Sequence, residues 1–206
     1  MRKQRMAALA VSAALVLAAA VGIASANKLS VSESTFRVIW GGAAEQLNVN
    51  ASGLSIRCNV TLTGSFHART FVKALRSRVG VIYQATRENC SLGNLYTILR
   101  ETLPWSMNYE GFAGTLPRIE RMDVTIVGAG ILYHLSLIFR EFLCLASFTR
   151  ESPWLNRISI ATGAATRWST PSSTAPSLVP ECNGISLEGT GLVSAASGGE
   201  LRISLI

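Results

Sequence analysis

From Leu54 to Thr63 the chain alternates apolar and polar residues without a break. A period of two sends successive side chains to opposite faces, so this stretch predicts a half-buried strand with Cys58 on its apolar face. Val31 to Trp40, rich in Ser, Thr, Val and Ile, predicts another strand, and Val79 to Thr86 and Leu95 to Leu99 predict shorter ones. Trp105 to Tyr109 alternates again after Pro104 and runs into a turn region, Gly111 to Pro117, with Asp123 to Val127 following as a strand. Near the C-terminus, Ile185 to Val193 and Leu201 to Ile206 flank a Ser197-Gly198-Gly199-Glu200 turn. They predict a hairpin whose last strand is tied into a sheet.

Three segments depart from this pattern. In Arg69 to Arg76, the residues Phe71, Val72 and Leu75 fall on one helical face, while Arg69, Lys73 and Arg76 fall on another. One short helix is expected there. Val124 to Phe139 carries no formal charge for 16 residues, fewer than the roughly 20 a membrane helix needs. Gly128-Ala129-Gly130 interrupts it and Arg140-Glu141 closes it, so two buried strands joined at the glycine turn are expected. Ser169 to Pro180 is Ser-, Thr- and Pro-rich without periodicity and predicts an exposed loop. The sum is a mainly β fold, an antiparallel β-sandwich or barrel-like domain with one short helix. The pattern leaves sandwich and barrel both open.

The N-terminus reads as an export signal. Arg2, Lys3 and Arg5 precede an apolar run, and Ala24-Ser25-Ala26 supplies the small-x-small pattern for cleavage between Ala26 and Asn27. An uncleaved anchor is the competing reading, but the run from Ala7 to Ile23 is 17 residues against the roughly 20 required. Residues 1–26 are therefore expected to be a cleaved signal peptide and residues 27–206 a single domain, secreted or extracytoplasmic by the general secretory route. Three of the 19 basic residues lie in the leader, leaving 16 against 12 acidic ones. So small an excess gives no nucleic-acid reading, and no stable transmembrane segment is expected in the mature chain.

All four cysteines, Cys58, Cys90, Cys144 and Cys182, follow the leader. An even number in an exported chain predicts two disulfides. Sequential pairing, Cys58–Cys90 and Cys144–Cys182, closes the shortest loops, each stabilising by about 3–4 kcal/mol through chain entropy. A Cys58–Cys144 bridge between inward-facing strand positions is the second arrangement. No cysteine or histidine spacing suits a metal, and no cofactor motif is present.

Chemistry is sparse. The histidines are His67 and His134, and the single aspartate is Asp123. His134 lies in the apolar run and reads as a core residue; His67 follows the strongest strand and reads as exposed. A secreted hydrolase built on His67 and a glutamate is one function class, and Glu101 with Glu110 is an example of a carboxylate pair for glycoside cleavage. The other class is binding. Trp105, Trp154 and Trp168 are candidates for stacking on sugar rings, against the alternative that they plug the core. Arg69, Lys73 and Arg76, extended by Arg78 and Arg87, are candidates for contacting anionic cell-envelope polymer or phospholipid heads.

The Gly64-Ser65-Phe66-His67 motif, Leu103-Pro104-Trp105, Gly114-Thr115-Leu116-Pro117, the four-cysteine layout and the terminal Ser204-Leu205-Ile206 resemble uncharacterised exported proteins of high-GC Gram-positive bacteria. The resemblance implies export and a single domain, and it assigns no catalytic or binding residue. The expectation is an extracytoplasmic binding or structural domain that meets an envelope or extracellular partner.

Overall fold

The computed structural model describes residues 28–206 apart from 43–44, 52, 92–95, 115–118, 138–139, 161–165, 180–181 and 183. Ala26 and Asn27, the expected cleavage junction, lie outside the described residues. In chain order the strands are β1 (Lys28–Val31), β2 (Thr35–Trp40), β3 (Leu47–Ala51), β4 (Leu54–Phe66), β5 (Thr70–Val72), β6 (Arg78–Glu88), β7 (Tyr96–Ile98) and β8 (Trp105–Ala113). They continue as β9 (Arg121–Val127), β10 (Gly130–Leu137), β11 (Arg140–Ser147), β12 (Trp154–Ser159), β13 (Arg167–Ala175), β14 (Ile185–Ala195) and β15 (Ile203–Leu205).

Antiparallel neighbours run β13-β12-β9-β8-β6-β4-β2-β14, and β14 pairs back onto β13. The sheet therefore closes into an eight-stranded barrel, which removes its free edges. β3 continues the position of β2: β14 and β4 each pair with β2 along one half and with β3 along the other. The alternation in β4 does what the pattern predicts, burying Ile56, Cys58, Val60 and Leu62 while Ser55 and Arg57 face out.

An eight-stranded barrel leaves an interior just wide enough for side chains to fill. Here aromatic residues fill it: Trp40 packs on Trp154 with ring centroids 6.2 Å apart, Trp105 meets Trp154 edge-on at 6.3 Å, and Phe36 stacks on Trp168 at 5.8 Å. Small sheets lie at the two ends. β15-β1-β5 sits where β2 begins and β4 ends, and β11-β10-β7 sits where β6 leaves the barrel. Cys58–Cys90 ties β4 to the chain beyond β6, and Cys144–Cys182 ties β11 to the chain before β14. This is the sequential pairing. No helix among the described residues is long and apolar enough to cross a membrane.

Several expectations are corrected. No helix covers 69–76. Thr70 to Val72 form β5, paired with β1, and Phe71 stacks on Phe66 at 5.8 Å. Arg76 then takes φ +59°, which a right-handed helix excludes. The only helical element among the described residues is a 3₁₀ turn at Arg100–Thr102. Ser169 to Ala175, expected as loop, belongs to strand β13, whose ladder shifts between Thr170 and Ser173 around Pro171. A bulge of this kind lets a strand carry a residue without an N–H. The C-terminal strand is tied into a sheet as expected, but β15 pairs with β1 rather than folding back on β14. β9 and β10 are joined at Gly128-Ala129-Gly130 as expected, and they enter different sheets. His134 is exposed, not a core residue.

Candidate functional site

Among the described residues, two sizeable grooves mark the surface. The larger, about 630 Å³, lies between the end of β6 and the 3₁₀ turn and mixes Arg87 and Arg100 with Glu88 and Glu101. The smaller, about 490 Å³, runs along the outer barrel wall and is lined by Arg76, Arg78, Ser106, Asn108, Glu110, Thr125, Val127, Arg150 and Pro153. Three arginines face one carboxylate there. Net sign, rather than volume, makes the second groove the stronger candidate for a charged ligand.

Strand register explains how it is built. Arg78 on β6 lies opposite Asn108 on β8, which lies opposite Thr125 on β9. The three form a row of outward side chains across neighbouring strands. Bulges bracket the row, between Arg78 and Gly80 and between Tyr109 and Gly111. The second carries Glu110, whose carboxylate accepts a hydrogen bond from the Thr125 hydroxyl at 2.9 Å. Arg76 enters from the β5–β6 turn, where its amide donates to the Tyr109 carbonyl at 2.7 Å and holds the left-handed conformation in place. Arg150 enters from the segment between β11 and β12. Beside it the Thr149 hydroxyl, then the Glu151 amide and more weakly the Arg150 guanidinium, hold the Glu151 carboxyl below its ordinary range.

Five arginines elsewhere pair with carboxylates, Arg69 with Glu33, Arg121 and Arg157 with Asp123, Arg167 with Glu45, and Arg202 with Glu200, whereas Arg37, Arg57 and Arg100 have no such pair among the described residues. Neither Arg76 nor Arg78 has an ion-pair partner among the described residues. Guanidinium groups present planar, bidentate donors that match carboxylate and phosphate. Ser106 and Asn108 add groups that can bond hydroxyls.

The other predicted residues scatter. Arg69, Lys73 and Arg76 make no helical stripe: Arg69 pairs with Glu33, the Lys73 ammonium lies 4.6 Å over the Phe112 ring, and Arg76 alone reaches the groove. Trp105, Trp154 and Trp168 are 1%, 2% and 0% exposed. Stacking on a sugar needs an open indole face, and these three have none. Their N–H groups are used internally. Trp105 donates to Thr102 at 2.8 Å, Trp154 to Thr170 at 3.3 Å, and Trp168 to Asn156 at 2.7 Å.

His67 is exposed, its amide donates to the Val79 carbonyl, and its imidazole has no carboxylate or hydroxyl partner among the described residues. Glu101 and Glu110 line different grooves. Among the described residues no group of three or more His, Cys, Asp or Glu could hold a metal ion. Comparisons with protein-family models, with curated proteins and with solved structures found no match.

Proposed function

We propose that this is an exported binding domain whose barrel wall offers the Arg76–Arg78–Arg150 groove to an anionic, hydroxyl-bearing polymer of the cell envelope. The observation that carries the reading is the convergence of three arginines on one polar groove, in a molecule that pairs five others with carboxylates. Phosphate or carboxylate groups along the polymer engage the guanidinium groups, while its hydroxyls meet Ser106, Asn108 and Glu110. Export is supported by the basic, apolar and small-x-small order of residues 1–26 and by two disulfides, which persist in oxidising compartments. The reading is tested by salt-dependent binding of soluble poly(glycerol phosphate) to wild type and to the Arg78→Ser, Arg150→Ser double variant.

A further inference from the structure

We infer that the end of the barrel carrying β5 is a second surface, one that docks on an anionic lipid bilayer. Lys28 pairs with Val72 across the β1–β5 ladder, and the Ile206 amide donates to the Lys28 carbonyl at 3.1 Å on the other side. Directly opposed residues of an antiparallel ladder point to the same face. Val72, Lys28 and Ile206 therefore form one outward row, with Val72 55% and Ile206 49% exposed. Leu75, 67% exposed, extends the apolar surface in the adjoining turn.

That turn is held rather than loose. The Ala74 amide donates to the Val72 carbonyl, and the Ser77 amide and hydroxyl both donate to the Ala74 carbonyl. The Arg76 amide, bonded to Tyr109, fixes its far end. Lys28 is a cation within the row, and Lys73 and Arg76 flank Leu75 in the chain, the first lying over the Phe112 ring and the second lining the barrel-wall groove. Arg69, just before β5, pairs with Glu33 at 3.9 Å, so these two charges offset one another.

Exposed apolar side chains with cations beside them match the layering of an anionic bilayer, phosphate at the surface and hydrocarbon beneath. A few exposed apolar side chains and a few cations give reversible docking rather than permanent anchorage.

The test uses the processed protein with vesicles of phosphatidylglycerol in phosphatidylcholine, and vesicles of phosphatidylcholine alone. Wild type should sediment with the anionic vesicles at low salt and remain free of the neutral ones. Val72→Ser with Leu75→Ser should weaken sedimentation about tenfold by removing apolar area that enters the bilayer. The same variant should bind poly(glycerol phosphate) as wild type does, because the barrel-wall groove is untouched. In a Leu75→Trp variant, the emission added by the new indole should be quenched by lipids brominated on their acyl chains. Equal vesicle binding by the double serine variant, unquenched emission from the Leu75→Trp variant, or no sedimentation of wild type would each overturn the inference. So would concentration-dependent self-association abolished by the double serine variant, which would make a second copy of the chain the occupant. Arg78→Ser with Arg150→Ser should leave vesicle binding intact, so failure of the groove and failure of this surface are separately visible.

Discussion

The Trp168 indole N–H donates to Asn156 Oδ1 at 2.7 Å inside the barrel, where both residues are fully buried. The same oxygen accepts from the Thr170 hydroxyl at 2.7 Å, and Asn156 Nδ2 donates to the Trp154 carbonyl at 2.9 Å. Two tryptophans that looked like surface candidates are thereby fixed in the core through one asparagine. A buried donor left without its partner carries its full desolvation penalty.

Asn156→Leu fills a similar volume but strands the Trp168 and Thr170 donors. It should cost about 2–4 kcal/mol, or roughly 5–15 °C in Tm for a domain of this size. Denaturant unfolding measures it. A loss under about 0.5 kcal/mol would mean the network contributes no more than a surface contact.

This network also shows why part of the fold was hidden in the sequence. Strand β13 points Thr170 and Ser173 inward, and the Ser173 hydroxyl accepts from the Leu155 amide at 3.0 Å. Apolar alternation disappears wherever buried polar groups satisfy one another, so a Ser/Thr/Pro-rich strand looked like loop. β4, with ordinary apolar side chains inward, was legible from Leu54 to Thr63, although the strand continues to Phe66. Barrel closure was not, because the β13–β14 pairing joins segments whose register no local pattern encodes. The Phe71 and Val72 periodicity spanned too few residues to outweigh pairing with β1. In the groove, Arg76 and Arg78 belonged to the basic group visible in the sequence. Arg150 and the Asn108–Thr125 row are assembled only by topology.

The tyrosines predict an alkaline transition. Burial pushes the Tyr96 phenol far above its ordinary value of 10.0, opposed by Arg87, and burial with the Asp123 carboxylate also raises Tyr109. The folded state keeps these protons where the unfolded chain releases them. Their contribution to stability is complete below about pH 10 and is lost as pH rises beyond it. Tyr96 Oη has no hydrogen-bond partner among the described residues. Tyr96→Phe should therefore be neutral or stabilise by up to about 1 kcal/mol, with less loss of stability at alkaline pH. Unfolding curves on either side of pH 10 check both statements, and a variant destabilised at neutral pH would contradict them.

Peptide mapping of secreted protein without reduction should join Cys58 to Cys90 and Cys144 to Cys182, with Asn27 at the N-terminus. Loops of 32 and 38 residues imply about 4 kcal/mol for each bridge on the chain-entropy account. Paired replacement by alanine should show losses of that order in chemical denaturation. Losses near zero would mean that the bridges scarcely restrict the unfolded chain.

The groove is the centre of the functional account, and titration calorimetry with soluble poly(glycerol phosphate) tests it most directly. Wild type should bind at low salt and weaken steadily as salt is added, because the attraction is screened. Arg78→Ser with Arg150→Ser should weaken binding about a hundredfold, at roughly 1.5 kcal/mol for each of the two charge-assisted contacts removed. Its Tm should stay within a few degrees of wild type, since exposed charges contribute little to folding. Wild-type protein that shows no binding at low salt, or a double variant that binds as wild type does, would contradict the account.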